Sequence, residues 1–545
     1  MTVTPILDRT VHMTYIDSEK QNSIEFKIPQ RGNLYLGAVS QWVEMGIAIL
    51  LGLIVTPIII KTLGNESYGL WGLVASFVGF YGLFDFGLSQ AISRFLGNSI
   101  GAKDIREFNR VASTGKCLLC AASFLVIISA LVLMKPAQSI LRIPEVYASK
   151  FCLLVMLSAA SVAVSMTTAI YGGALRASED FVFMSGIQLC ANVVRSLGGL
   201  WAVLAGKGVV GLAVVAMAAT ILQQFLVYLR CRKRLPQMRT GFLNFDTARA
   251  QSLIGFGGAA FVVMVAEIIR SKLDVILVTR FGGLGQAGLY AVALTVFSYF
   301  FRAMGAVLGV TWPRLNRLQG TGDLPALQKF FKRVSHITAA CASLLAGIFI
   351  GLAPWLIRLW VGDGYEDSAM VVRILIGGYF LDIATNSGIG SLYATGRHRY
   401  FAAQTAIEAV VSFTLAFLLG SKYGMFGVAI GIVIPISIVK LTIQPWYVAR
   451  NLSISLREYW IRVILMATLA MSVLAGGLAF LSYPVVRRGY WAEPSVAVLA
   501  TIVSAAVLWR FVLENTDRAV IVSRIKGIGC GMISLRDRVL TLLNS

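Results

Sequence analysis

The sequence predicts an all-α, polytopic membrane protein with about fourteen transmembrane helices, arranged as two six-helix lobes followed by two further helices. Three observations lead there. The 545 residues are 57% hydrophobic and only 14% charged, with mean hydropathy +0.76, whereas soluble domains carry about a quarter charged residues. Apolar segments of about 20 residues, each long enough for one helical span, recur from 34 to 513. The punctuation of the first half also returns in the second. Gly69-Leu70-Trp71 is matched by Gly288-Leu289-Tyr290 at an offset of 219, Gly173-Ala174-Leu175 by Gly390-Ser391-Leu392 at 217, and Gly208 and Gly211 by Gly424 and Gly427 at 216. Such duplication suits a transporter that exposes one site to alternate sides.

The elements follow in order. Residues 1–33 are polar, lack the apolar core of a signal peptide and read as a cytoplasmic tail. The N-lobe, 34–229, holds spans near 34–60, 69–93, 113–134, 149–174, 182–205 and 208–229. A basic cytoplasmic linker occupies 230–250 and begins Arg230-Cys231-Arg232-Lys233-Arg234. The C-lobe, 251–446, holds spans near 252–279, 286–312, 334–357, 369–394, 401–420 and 425–446. The segment 447–513 adds spans near 460–483 and 494–513, without counterparts in the repeat. The final stretch, 514–545, is basic and amphipathic, suited either to the inner leaflet or to a solvated tail.

Net charge +22 raises the question of nucleic acid, and its distribution answers it. With the amino terminus inside, cytoplasmic tails and loops hold 32 Lys and Arg and outer loops hold 10, as the positive-inside rule describes. No nucleic-acid partner is needed, and both termini are expected in the cytoplasm. The expected location is the cell inner membrane. Cys117 and Cys120 form a C-x-x-C without a second pair, so no metal site is expected, since structural zinc takes four ligands. The other five cysteines are scattered, and no cofactor motif is present. The absence of a Walker motif excludes ATP hydrolysis as the drive.

Ionisable residues at membrane depth cost about 2.5–3.5 kcal/mol each on insertion scales and mark pathways or internal pairs. The candidates are Glu44, Asp85, Arg195, Glu267, Arg270, Lys272, Asp274, Arg302, Arg373, Asp382, Glu408 and Lys440. Glu267, Arg270 and Asp274 share one helix stripe at i, i+3, i+7, with Lys272 pointing elsewhere. Arg270, Lys272, Arg302 and Arg373 are the candidate phosphate-binding residues, because guanidinium groups suit phosphate oxygens. Arg373 has the alternative of snorkelling to the interface. Glu267, Asp274, Asp382 and Glu44 are the ion-coupling candidates, for H⁺ or Na⁺. Asp85 and Arg94 read as structural polar residues, with Asp85 bonding either to backbone or to Arg94 at the inner face.

Leu63-Gly64-Asn65-Glu66-Ser67-Tyr68-Gly69-Leu70-Trp71, Leu83-Phe84-Asp85-Phe86-Gly87-Leu88 and Arg94-Phe95 resemble the opening of the oligosaccharide flippases, the Wzx-like polysaccharide transporters. Lys272-Leu273-Asp274, Phe281-Gly282 and Ala287-Gly288-Leu289-Tyr290 resemble the start of their second lobe. The similarity covers most of the chain, and these motifs serve the wider superfamily of multidrug exporters and the lipid II flippase as well. The resemblance implies two lobes around a central, often basic cavity that opens alternately to each side. It implies a lipid-linked oligosaccharide substrate, undecaprenyl-pyrophosphate-linked sugar repeat units turned from the cytoplasmic to the periplasmic leaflet for surface polysaccharide. It further implies contact with membrane lipid, and polysaccharide polymerase or export partners. The basic residues that lipid II flippases carry in their first two spans are not evident; span one carries Glu44 instead.

Two other readings compete. A cation-coupled multidrug exporter would want an acidic, aromatic cavity, whereas Arg270, Lys272 and Arg302 would repel cationic cargo. A membrane polysaccharide polymerase or ligase would want a sizeable outer loop. The one acidic outer loop, near 358–368 with Asp363, Glu366 and Asp367, is short.

Overall fold

A computed structural model describes residues 34–241, 245–308, 323–395 and 398–485, together with Leu315 and Leu318. The 1–33 tail, the expected 494–513 span and the 514–545 tail lie outside the described residues. What is described is helical, without strands. Among the described residues ten helices are long and apolar enough to cross a membrane, or eleven with one bent pair taken as a single span.

The first repeat comprises α1 (Leu34–Leu63), α2 (Asn65–Tyr81), α3 (Leu88–Gly101), α4 (Ile105–Ile140), α5 (Glu145–Ala177), α6 (Phe181–Leu204) and α7 (Gly208–Arg234). The second comprises α8 (Thr247–Leu308), α9 (Leu324–Trp360), α10 (Glu366–Ala384), α11 (Asn386–Ala394), α12 (His398–Leu441) and α13 (Ile443–Asn451). The chain continues through α14 (Leu456–Tyr459), a π-helical turn over Trp460–Leu465 and α15 (Met466–Val485).

The duplicated glycines explain the turns. Gly64, between α1 and α2, has φ 76°, ψ 165°, and Gly283, 219 residues later inside α8, has φ 73°, ψ −177°. Only glycine takes this conformation without strain. Gly208 at the start of α7 and Gly424 inside α12 form a second pair, with φ 58° and 57°. Thus α8 and α12 each hold two of the expected spans. In α12 the chain doubles back, since Gly427 lies against Leu419 and Gly431 against Ala416, leaving no room for a side chain at either.

Two expected spans are broken. The stretch 69–93 is interrupted after Tyr81 by a 3₁₀ turn over Gly82–Asp85. Phe86 (φ 48°) and Gly87 (φ 75°) are both left-handed there, which ends one helix before α3 begins. The stretch 369–394 bends by 40° between α10 and α11. The linker is not loose in its described part. Asn109 of α4 donates to Gln237 O at 3.3 Å and accepts from Arg239 N at 2.8 Å, and Arg249 pairs with Glu107 at 2.9 Å.

The two repeats meet through equivalent residues. A side-chain carbon at Gly69 would strike the carbonyl of Leu284 and the amide of Gly288, and one at Gly288 would strike the carbonyl of Asn65. Asn65 and Leu284, like Gly69 and Gly288, are 219 apart, so the contact is isologous about a pseudo-two-fold axis. Further bonds seal this end. Trp360 Nε1 donates to Leu53 O at 2.7 Å, Tyr365 Oη donates to Asn65 Oδ1 at 2.5 Å, and the hydroxyls of Tyr68 and Thr295 lie 3.4 Å apart.

Candidate functional site

Away from the sealed end the repeats part. A cavity of about 1000 Å³ opens between α1, the adjoining ends of α5 and α6, and the last turns of α8. Arg176, the basic residue in the last turn of α5, and Arg302, near the end of α8, are both exposed into it. They come from opposite repeats. Arg176 Nη2 reaches Ser93 Oγ at 3.5 Å. Along α1 and α6 the lining is Gln41, Trp42, Glu44, Ser185 and Gln188. Two arginines from opposite repeats, beside amides and a carboxylate, offer anion binding next to hydroxyl recognition.

A second, smaller cavity of about 220 Å³ lies within the second repeat. Its polar wall is an ion network centred on Arg270. The guanidinium donates from Nη2 to Glu267 at 2.9 Å and from Nη1 to Asp382 and to Glu408, each at 3.3 Å. Lys440 Nζ adds a 2.8 Å pair to Asp382 and a 2.7 Å bond to Gln444. Gln444 in turn donates to Thr385 O, the residue at the α10–α11 bend. The network therefore includes a backbone carbonyl at a break in the helix. Arg270, Asp382, Glu408 and Lys440 keep less than a tenth of their side-chain surface exposed, whereas Glu267 keeps 41%. Three carboxylates face two cations, one negative charge in surplus.

The other residues singled out by sequence fall as follows. Asp274 is buried and accepts the amide of Val275 at 2.8 Å, apart from the Arg270 network despite sharing its stripe. The stem of Lys272 lies against Gly79 of α2. Arg373 donates to the carbonyl of Ile350 at 3.0 Å. That carbonyl sits four residues before Pro354, whose missing N–H leaves it without its helical partner. The structure thus gives Arg373 an internal acceptor. Asp85 accepts from Ser89 N at 3.2 Å and Ser89 Oγ at 2.5 Å, fixing the start of α3, and Arg94 is exposed on α3. Glu44 accepts from Asn192 Nδ2 at 2.7 Å.

Sequence reasoning passed over Arg176, Gln188, Asn192 and Gln223 as site residues. Arg176 reads as an ordinary loop charge, and single amides in apolar spans carry no charge signal. Their presence within membrane-spanning segments is the clue available, because a buried amide needs partners. Glu408 and Lys440 stand among the intramembrane charges, but their convergence on Asp382 depends on tertiary structure. Among the described residues no group of His, Cys, Asp and Glu is suited to hold a metal ion.

Comparison with known proteins places the chain. Residues 58–370 match the family described as polysaccharide biosynthesis protein. The chain is 22% identical to the "Uncharacterized membrane protein EpsK" of Bacillus subtilis (strain 168), over 74% of this chain and 81% of that protein. It is 22% identical to the "Putative O-antigen transporter" of Shigella flexneri, over 72% and 92%. Among solved structures, the lipid II flippase MurJ in an inward closed conformation superposes with a TM-score of 0.69 at 14% identity, covering 87% of this chain and 99% of that one. An inward-facing multidrug resistance MATE family transporter of the MOP superfamily superposes with a TM-score of 0.65 at 17% identity, covering 77% and 99%. The chain shares its helical fold with these two solved structures, and the family match over 58–370 spans more than half of the chain. The chain is a multi-pass membrane protein belonging to the polysaccharide biosynthesis protein family.

Proposed function

We propose that the protein is a flippase that turns undecaprenyl-(pyro)phosphate-linked oligosaccharide repeat units from the cytoplasmic to the periplasmic leaflet by alternating access. The observation that carries this reading is the cavity between the repeats, lined by Arg176 and Arg302 from opposite sides. A phosphate held between them would bridge the two lobes, and its lipid tail would stay in the bilayer. The 32-to-10 charge asymmetry supports an orientation with the open end in the cytoplasm and the glycine-turn end outside. In that orientation the described conformation is inward-facing, ready to accept substrate made on the cytoplasmic side.

In this reading the Arg270 network replaces Arg270 as a phosphate ligand with Arg270 as an internal counter-ion. Its surplus negative charge is the place for one exchangeable monovalent cation, H⁺ or Na⁺. Filling that place changes the charge beside the α10–α11 bend, which would let an ion gradient bias the two conformations. Catalysis has no part in the proposal.

The test is a deletion strain in which lipid-linked oligosaccharide and surface polysaccharide are traced together, with redundant transporters removed. Lipid-linked units trapped at the cytoplasmic face, together with loss of surface polymer restored by the gene, are expected. Normal polymer with no trapped intermediate would overturn the reading and favour an exporter of other cargo.

A further inference from the structure

The wall of the large cavity formed by the first repeat carries a chain of side-chain hydrogen bonds. Gln223 of α7 donates through Nε2 to Gln188 Oε1 at 2.7 Å. Gln188 of α6 donates through Nε2 to Asn192 Oδ1 at 3.3 Å. Asn192 donates through Nδ2 to Glu44 Oε1 of α1 at 2.7 Å. Arg195 joins the chain, giving Nη1 to Asn192 Oδ1 at 3.0 Å. Every amide donor in this ladder points the same way, toward the Glu44 carboxylate, so the bonds polarise one another.

Gln188 and Glu44 are half-buried and line the cavity, and Trp42 beside them is 57% exposed. An amide, a carboxylate and an open aromatic face are the groups that recognise a sugar ring. The first two take up hydroxyl donors and acceptors, and the indole covers the apolar face of the ring. The cations that share this cavity are Arg176 and Arg302. Arg302 lies nineteen residues from the turn at Gly283, and Glu44 and Gln188 lie twenty from the turns at Gly64 and Gly208, so the three stand at about the same depth. With the arginines taken up by phosphate, the acceptors of Glu44 and Gln188 are what faces the adjoining sugar.

We infer that Glu44, Gln188 and Trp42 form a subsite for an uncharged sugar close to the lipid phosphate, and that this subsite selects against a sugar carrying a carboxylate there. A uronic acid would set its charge against Glu44 in a partly desolvated wall, where like charges are costly. A sugar hydroxyl instead completes the unused acceptor capacity of Glu44 and Gln188. A site built for hydrogen bonds discriminates strongly against ligands that cannot make them. This inference rests on the flippase reading, but it fails separately from it.

The test uses the full-length protein in lipid nanodiscs and three probes: undecaprenyl pyrophosphate, the same lipid bearing N-acetylglucosamine, and the same lipid bearing galacturonic acid. The N-acetylglucosamine lipid should bind on the order of tenfold tighter than the sugar-free lipid, the worth of one or two net hydrogen bonds. The galacturonic acid lipid should gain nothing. Gln188→Ala should bring the N-acetylglucosamine lipid down to the sugar-free affinity, and Glu44→Gln should raise binding of the galacturonic acid lipid toward the neutral one. Trp42→Ala, at an exposed position, should lower binding of the N-acetylglucosamine lipid with the melting temperature unchanged. Equal affinity for the two sugar-bearing lipids, or a Gln188→Ala loss of equal size for all three probes, would overturn the inference. Binding of none of the three would instead overturn the flippase reading.

Discussion

Trp360→Phe should loosen the sealed end through a single lost donor. Pro57 sits inside α1 and has no N–H, so the carbonyl of Leu53, four residues earlier, has no helical partner. Trp360, from the other repeat, supplies one at 2.7 Å. Phenylalanine keeps an aromatic ring but removes the donor. A carbonyl left unpaired costs about 1–3 kcal/mol. The low end of that range is the least effect to expect, because lipid, unlike water, offers an exposed carbonyl no replacement donor. About 1 kcal/mol corresponds to a roughly fivefold shift between conformations. The assay is a spin-label distance measurement between Lys61 and Asp367, both exposed at the sealed end, after replacement of the seven native cysteines. The population with the repeats apart should rise about fivefold in Trp360→Phe. Pro57→Ala restores the missing N–H, so the same substitution in that background should have a much smaller effect, the signature of coupling in a double-mutant cycle. An unchanged distance distribution, or an equal effect in both backgrounds, would refute the reasoning.

Other outcomes follow from the same structure. Arg270→Ala leaves Asp382 and Glu408 buried without their shared cation, which should cost about 3–5 kcal/mol and appear as lost protein level and a lower melting temperature. A melting temperature equal to that of the parent would show that the network is not a structural tie. Glu408→Gln removes the surplus charge, and transport in vesicles should then no longer respond to an imposed proton or sodium gradient; an undiminished response would place coupling elsewhere. Gly69→Val puts a branched side chain against Leu284 and Gly288, so it should raise the separated population in the same spin-label measurement, whereas Gly101→Val, in open space, should not.

The fold was legible where hydrophobic length and glycine punctuation specify it. The offset of 219 read from Gly69 and Gly288 also relates Gly64 to Gly283, a pair the sequence reading did not single out, and their shared backbone conformation follows because a one-residue turn between two helices leaves little choice but glycine. The breaks in two spans were not legible, since Phe86 and Thr385 do not announce a helix end in an apolar run. Among site residues, Glu267, Arg270 and Asp274 lie along α8, but their spacing could not reveal that Asp274 stays outside the Arg270 network. Side-chain partners from α10 and α12 decide that, and they lie more than a hundred residues away in sequence. Arg373 illustrates the same limit. Its acceptor exists because Pro354 orphans a carbonyl on a neighbouring helix, which becomes readable only when the two helices are known to pack. The amide ladder was missed because Gln188, Asn192 and Gln223 are neutral, single and spread over α6 and α7, although Glu44 at its end was singled out.

The most direct measurement is flipping in proteoliposomes that contain the purified protein and fluorescent undecaprenyl-pyrophosphoryl-N-acetylglucosamine, read by quenching with a reductant confined to the outside. The protein should accelerate translocation of this lipid over protein-free vesicles, with a fluorescent phosphatidylcholine unmoved, and Arg302→Ala should slow it with the fold intact. Translocation no faster than in protein-free vesicles, or equal movement of the phosphatidylcholine, would contradict the account.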